Sequence, residues 1–299
     1  MGSGASNFFS ASSKPFRVYQ AHDGSINAIC LFDKGRTRYL ATASEDGTCA
    51  VWDTEKNELE AKMKGHSQYV TCIAMNESSV VTGSADKTLM RWDLHTGKHL
   101  VTFDGHSSIV AGVGLHGNLL FSTSYDKTAR QWNLESGECL QVYKGHKRGL
   151  GPLLFVNLTQ PDRRSLMRRS RVDMHRRLSV SWTGNMCTQM DTFHRTLLIT
   201  GSCDNTAKAW SLVSPVSVVE YVGHGSGVLC LSMKEGEREL FTGSSDGTVR
   251  SWDVETGQPL MVFDGHQGAV LCLQVDQCSD SESYQYVMTL FPDWEIGWW

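Results

Sequence analysis

The sequence predicts an all-β fold built from repeated four-stranded sheets. Five times along the 299 residues, a Gly-His or Ala-His pair is followed by Ser-x-Asp-x-Thr and then by Trp. Most of these sets lie about 40 residues apart, the signature of an array of small structural units. Each unit has four short apolar or alternating segments separated by turn residues, the pattern of an antiparallel meander. One such sheet cannot cover both its faces, so neighbouring units must stack around an axis.

The second unit, residues 65–103, shows the pattern most clearly. We expect its four strands at Tyr69–Met75, Ser79–Thr82, Thr88–Trp92 and Lys98–Phe103. The turn between the second and third strands carries an Asp, and the turn before the fourth carries a Gly. Both residue types suit tight hairpins. The unit therefore predicts a sheet in which consecutive strands pair.

The positions that repeat are a His at the start of each unit and a Trp in its third strand. They are His22, His66, His106, His146 and His224, with Trp52, Trp92, Trp132, Trp210 and Trp252. A sixth pair, Gly265-His266, begins a unit in which Ser-x-Asp-x-Thr never follows. We therefore expect five complete sheets and a partial or degenerate sixth.

Composition excludes several classes of function. The chain is 40% apolar and 20% charged with a net charge of −4, so it lacks the basic footprint of a nucleic-acid-binding protein. No apolar run is long enough to span a membrane and no signal peptide is visible, so a cytoplasmic protein is expected. The nine cysteines include no Cys-x-x-Cys pair, and we expect no metal, cofactor or small-molecule substrate.

The repeated Gly-His, Ser-x-Asp-x-Thr and Trp sets resemble the WD-repeat β-propeller family over about residues 16–275. The resemblance implies a propeller of five recognisable four-stranded blades plus the partial sixth, in a ring that need not be closed. Residues 1–15 are then a flexible N-terminal tail and residues 276–299 an atypical C-terminal tail. Phe16–Gln20 is expected to be a fourth strand, yet no recognisable third strand is left to pair with it. A shortened form of a longer protein would explain this.

The resemblance also implies a structural tetrad in each blade, made by the turn Asp, the His, a hydroxyl of the second strand and the Trp. In the second blade the Asp is Asp86, and the hydroxyl is either Thr82 or Ser84. A His, an Asp and a hydroxyl also resemble a catalytic triad. Five near-identical sets stabilise repeats rather than form five active sites, so we expect no catalytic residues and no enzyme activity.

The fourth unit is interrupted by about 38 extra residues, at roughly 157–195. A solvated loop is the ordinary interpretation of such a like-charge run, and the alternative is an anion-binding loop for phosphate groups, anionic lipid or an acidic partner. Ser170 and Ser179 follow arginine pairs, as in sites of basic-directed kinases. The arginines of the insertion are Arg163, Arg164, Arg168, Arg169, Arg171, Arg176 and Arg177.

The N-terminus fits the pattern for N-myristoylation at Gly2, although a polar leader is the simpler interpretation. Family topology implies that this tail and the arginine-rich insertion emerge on one face. One acyl chain binds membranes weakly, and a basic patch is the usual second signal. A peripheral membrane adaptor is therefore one hypothesis for this chain.

The opposite face is where the family commonly holds a partner. It is reached by the positions three and five after the repeat His and the position before the turn Asp. Tyr69 and Tyr125 are the expected anchors, because rigid aromatic side chains dominate interaction hot spots, although ordinary loop packing would also explain each residue. The other candidates are Asn27, Glu45, Thr71 and Ile109, with Ser25 and Cys203 at equivalent positions. The predicted function is a non-catalytic protein-interaction scaffold or adaptor; a substrate-recognition subunit of a ubiquitin ligase is the alternative.

Overall fold

The protein is described by a computed structural model that covers residues 17–34, 37–158, 196–233, 238–275, 287–290 and 296–298. Within these ranges the chain forms strands and turns only. Five four-stranded antiparallel sheets follow one another, and a sixth sheet has three strands. In every sheet the strands pair in chain order, as the meander pattern predicts. The predicted all-β class is therefore confirmed.

The first three sheets, here called blades, cover residues 26–144. Their strands are β1 (Ile26–Lys34), β2 (Thr37–Ser44), β3 (Thr48–Asp53), β4 (Glu58–Lys64), β5 (Val70–Met75), β6 (Ser79–Ser84), β7 (Leu89–Asp93), β8 (His99–Phe103), β9 (Val110–His116), β10 (Leu119–Ser124), β11 (Thr128–Asn133) and β12 (Cys139–Lys144). In the second blade these bounds differ by at most two residues from those expected from the sequence. The largest difference is at β6, which continues to Ser84 at the turn.

The fourth and fifth blades and the sixth sheet complete the array. Their strands are β13 (Leu150–Asn157), β14 (Thr196–Ser202), β15 (Thr206–Ser211), β16 (Ser217–Val222), β17 (Val228–Met233), β18 (Glu239–Ser244), β19 (Val249–Asp253), β20 (Pro259–Phe263), β21 (Cys272–Val275), β22 (Val287–Leu290) and β23 (Ile296–Trp298). The insertion of the fourth unit joins β13 to β14. The sixth sheet shows that the unfinished unit still forms three paired strands.

The blades stack through their first strands, since β1, β5, β9, β13, β17 and β21 each contact the next in the series. The residue four positions after the repeat His enters this contact. Val110 is fully buried, and its Cγ1 lies 2.7 Å from where a side chain would begin at Gly83 in the second blade. Val270 has the same relation to Gly243 in the fifth blade. Glycine at these positions allows neighbouring sheets to approach closely.

One face of the first blade, here called its free face, exposes apolar side chains that stacking buries in the other blades. Ile29 and Leu31 are 66% and 73% exposed, whereas the equivalent Ile73 and Met75 in the second blade are each 8% exposed. Among the described residues, no sheet packs on this face of β1. Apolar side chains that are core residues elsewhere in the array therefore meet solvent here.

Residues 17–20 lie outside any strand, so the strand expected at Phe16–Gln20 is not present in its described part. Tyr19 nevertheless packs edge-on against Trp52, with ring centroids 5.6 Å apart. Tyr143 at the end of β12 packs in the same way on Trp210, at 5.8 Å. Tyr19 thus occupies the position of a fourth-strand aromatic residue, but its segment has no described strand to pair with.

Replacing Gly83 with Ala tests the stacking. We expect it to lower the free energy of unfolding by about 1–3 kcal/mol, because the new methyl group would overlap Cys72 and Val110. Gly151→Ala is the matched control, since no atom lies within 4 Å of its new methyl group. It is expected to stay within about 0.5–1 kcal/mol of the parent. Equal stability of both variants in urea denaturation would contradict this account of packing.

Candidate functional site

A network of four polar groups is complete in the second to fifth blades, and the first blade has its bonds from His22 to Asp46 and to Thr42. In the third blade, His106 Nδ1 lies 2.7 Å from the Asp126 carboxylate and His106 Nε2 lies 2.7 Å from Ser122 Oγ. The Trp132 indole N–H donates to the same hydroxyl oxygen at 2.8 Å. The His–Asp distance is 2.7–3.1 Å across the five blades. The tetrads implied by the family resemblance are therefore present as hydrogen-bonded sets.

The second blade decides between the two candidate hydroxyls. Thr82 Oγ1 lies 2.8 Å from His66 Nε2 and accepts the Trp92 N–H at 2.9 Å. Ser84 instead donates to the Tyr69 carbonyl at 2.9 Å and accepts the Asp86 backbone N–H. Thr82 is the tetrad member, and Ser84 shapes the turn that holds the Asp.

The protonation state of the network follows from burial and hydrogen bonding. Burial lowers the pKa of His146, and Asp204 offsets only part of this effect. Burial alone would raise the pKa of Asp204, but hydrogen bonds from Thr206, from the Lys147 N–H and from His146 bring it down to about 2. A neutral His thus donates Nδ1–H to a carboxylate and accepts the Thr200 hydroxyl proton at Nε2.

These sets are closed to substrate. The hydroxyl-bearing side chains of Thr82, Ser122, Thr200 and Thr242 are fully buried. Each of these oxygens bonds to a His and to a Trp N–H inside the blade, and its burial leaves no path by which a substrate atom could reach it. A nucleophile must reach the reacting atom of a substrate. The arrangement fastens the blades, as the resemblance implies.

The part of the chain that the structure describes contains no group of three His, Cys, Asp or Glu side chains arranged to hold a metal ion. The described cysteines are all free thiols. Burial raises the pKa of Cys72 to about 12, so this thiol stays protonated within the core. Separately, no helix in the described ranges is long and apolar enough to cross a membrane.

Two of the three positions expected to carry partner contacts, the one three after the repeat His and the one before the turn Asp, meet at one end of the blade. The Tyr125 N–H donates to the Ile109 carbonyl at 3.0 Å, and the equivalent Glu45 N–H donates to the Ser25 carbonyl at 2.9 Å. Tyr69 is 40% exposed and Tyr125 is 50% exposed. Glu45 is exposed and Ile109 is half-buried. We call this end of the array, centred on Tyr69 and Tyr125, the tyrosine surface.

Asn27 and Thr71 have a different role from the other candidates. The Asn27 side chain donates to the Val70 carbonyl at 2.9 Å, and the Thr71 hydroxyl donates to the Val110 carbonyl at 2.5 Å. Each bond joins one blade to the next. Both side chains therefore donate hydrogen bonds that hold neighbouring blades together, and we assign them to stacking before any contact with a partner.

Sequence reasoning did not single out the cations of the tyrosine surface. Lys87 and Lys127 follow the turn Asp of the second and third blades, and Lys147 and Arg148 follow the repeat His of the fourth. All four side chains are exposed. Their offsets from the repeated His and Asp were a readable signal, but only the stacked blades show that they share one surface.

Several other predicted sites lie outside the described residues, and their predictions stay as stated. These are Gly2, the arginines Arg163, Arg164, Arg168, Arg169, Arg171, Arg176 and Arg177, and the serines Ser170 and Ser179.

The family described as "WD domain, G-beta repeat" matches residues 13–53, 57–93, 97–133 and 215–253, together just over half of the chain. The chain belongs to the WD-repeat family. The first three strands of the interrupted fourth unit lie outside these matches, yet its blade carries the same network through His146, Asp204 and Trp210. The insertion therefore breaks the sequence pattern of the WD repeat while the blade itself remains.

Curated relatives match over short segments. The Arabidopsis thaliana protein named "Non-functional target of rapamycin complex subunit LST8-2" is 40% identical over 19% of this chain and 18% of its own length. Human WD repeat-containing protein 86 is 36% identical over 22% of this chain and 17% of its own length. The chain thus spans less than a fifth of these relatives. Among solved structures, the computationally designed Ika8 protein is 25% identical with a TM-score of 0.70, covering 94% of this chain and 72% of that one.

Removing one shared hydroxyl tests the tetrad. Ser122→Ala leaves both His106 Nε2 and the Trp132 N–H buried without their partner. We expect a loss of about 1–3 kcal/mol in unfolding free energy for each group left unsatisfied. Ser107→Ala in the same blade is the control and is expected to stay within about 0.5 kcal/mol, because its side chain is exposed. Similar denaturation midpoints for the two variants would contradict a stabilising tetrad.

The network also predicts how stability depends on pH. Burial lowers the pKa of His66, His146 and His224 below their ordinary 6.5, so the unfolded chain binds more protons there and stability falls as the pH drops below that value. A second loss is expected between pH 3.8 and about 2, as Asp204 is protonated. Urea denaturation across this range measures both. A free energy of unfolding that stays constant from pH 8 to 4 would contradict the assignment of neutral histidines.

Proposed function

We propose that this WD-repeat array is a non-catalytic scaffold that binds protein partners on the tyrosine surface. The supporting observation is that Tyr69 and Tyr125, two large aromatic side chains, stand half-exposed on loops that the tetrads hold in place. Members of the WD-repeat family are typically scaffolds without catalytic activity. The proposal places the interaction at named residues of this chain.

The position of Tyr125 favours a binding role. Its backbone N–H is bonded to Ile109, and its ring lies over Gly149, where a side chain would begin only 2.7 Å from the ring. Thr71, two residues after Tyr69, donates to the carbonyl of Val110, the residue that follows Ile109, so the two tyrosines lie on neighbouring blades of the same surface. A preorganised aromatic pair loses little conformational entropy on binding, as in interaction hot spots.

The peripheral-membrane alternative depends on Gly2 and the arginine-rich insertion, which lie outside the described residues. The ubiquitin-ligase alternative is a special case of the same scaffold, with a substrate and a ligase as its partners. Both are compatible with binding at the tyrosine surface. The surface is therefore the first feature to test.

Affinity purification with the double variant Tyr69→Ala and Tyr125→Ala tests the proposal. We expect proteins retained by the parent chain to be lost, since removing one hot-spot side chain costs about 2 kcal/mol or more of binding free energy. The matched control is Leu100→Ala with Leu140→Ala, which truncates two comparably exposed side chains in the fourth strands. Retention of the same proteins by the double tyrosine variant would overturn the proposal, provided that both variants melt like the parent.

A further inference from the structure

The tyrosine surface is electrically polarised across the array. Its cations, Lys87, Lys127, Lys147 and Arg148, lie on the second to fourth blades and outnumber the exposed Asp104 of the loop that opens the third, whereas the exposed acids Asp23 and Glu45 lie on the first. Among the described residues, none of the four cations forms an ion pair with a carboxylate. Unpaired charges at the rim of an aromatic patch remain available to a partner.

The repeat geometry brings two of these cations, Lys127 and Arg148, close to Tyr125. The turn of each blade lies against the loop that opens the next, because a side chain on Gly47 would begin 3.4 Å from the Gln68 carbonyl. Gly247 has the same relation to the Gly268 carbonyl, at 3.3 Å. By the same offset of 21 residues Lys127 corresponds to Arg148, which precedes the glycine on which the Tyr125 ring lies, so we infer that these two cations are neighbours.

The carboxylates of the same turns are directed inward. Asp126 accepts hydrogen bonds from His106, from the Thr128 N–H and hydroxyl and from the Ser107 N–H. Both of its oxygens are therefore occupied within the blade. An approaching partner meets the ammonium group of Lys127 at the rim, while the neighbouring negative charge is bound below it.

Two of these lysines occupy the turn position that has a positive φ in all five blades, with Asn205 at 72° in the fourth. Lys87 and Lys127 have φ values of 76° and 72°, in the left-handed region, where the first and fifth blades have Gly47 and Gly247. Glycine adopts this conformation without steric cost, whereas a lysine is strained there. Local strain of this kind is tolerated most often where a side chain serves a function.

We propose that the tyrosine surface binds an acidic segment of a partner protein. Its carboxylate or phosphate groups would lie against Lys87, Lys127, Lys147 and Arg148, and an apolar side chain would lie between Tyr69 and Tyr125. This inference rests on the proposed scaffold function and adds the chemistry of the partner. The acids of the first blade set the orientation in which the segment binds, since they repel its acidic end.

Fluorescence polarisation with a labelled peptide of alternating glutamate and leucine tests the inference on the full chain. The expected result is saturable binding that weakens as salt is raised, with binding about tenfold or more weaker when glutamine replaces glutamate. A version with phosphoserine in place of glutamate distinguishes carboxylate from phosphate as the preferred group. Equal binding of the glutamine peptide, or preferential binding of anionic vesicles or RNA, would overturn the inference.

The decisive variant combines Lys87→Gly, Lys127→Gly and Arg148→Gln. Glycine suits the left-handed positions, so this variant is expected to fold at least as stably at its turns as the parent. It should bind the glutamate peptide about tenfold or more weakly. The control, Arg38→Gln with Lys56→Gln and Lys98→Gln, removes the same net charge from exposed positions at the opposite ends of the blades and should bind like the parent.

The two proposals can fail separately. If the lysine variant keeps the partners that the tyrosine variant loses, the scaffold function stands and the acidic-segment inference is wrong. If both variants keep them, the tyrosine surface is not the site and both proposals are wrong. Loss of the partners from both variants, with the control unaffected, supports the two together.

Discussion

The whole structure depends on one constraint, which is that a four-stranded sheet in this chain has two apolar faces and can cover neither by itself. The exposure of the residue four positions after the repeat His shows this constraint. Val70, Val110 and Val228 are buried between neighbouring sheets, whereas Ile26 on the free face of the first blade is 49% exposed. Stability in such an array is a sum of blade terms and nearest-neighbour contacts. Every other feature has to be compatible with that stacking.

The tetrad solves the problem that stacking creates at the blade ends. The tight turn between two buried strands has to be held in one conformation at the end of the blade. Asp126 does this by accepting bonds from His106 and from its own turn, which fixes the two flanking residues, Tyr125 and Lys127, with their side chains outward. The same turn thus contributes its Asp to the internal network and the residues on either side of that Asp to the proposed binding surface.

Much of this fold was predictable from the sequence because the pattern repeats. Period, turn residues and the His, Asp and Trp positions predicted five blades, all of which are present, and their networks, which are complete in the second to fifth blades. The choice between Thr82 and Ser84 was not predictable, because both lie on one face of a strand and only the position of Trp92 separates them. The strands Val287–Leu290 and Ile296–Trp298 were missed since no turn motif precedes them.

The cations of the tyrosine surface were missed for a different reason, and it bears on where specificity resides. Across the blades the turn Asp repeats without change, but the residue after it is Gly47, Lys87, Lys127, Asn205 and Gly247 in successive blades. The repeat pattern does not include such positions, because their residues differ from blade to blade. Stacking, however, arranges them side by side around one surface, where their differences become a pattern of charge and aromatic area. The repeated residues therefore determine how the blades fold and stack, and the variable residues beside them determine which partner the surface can recognise.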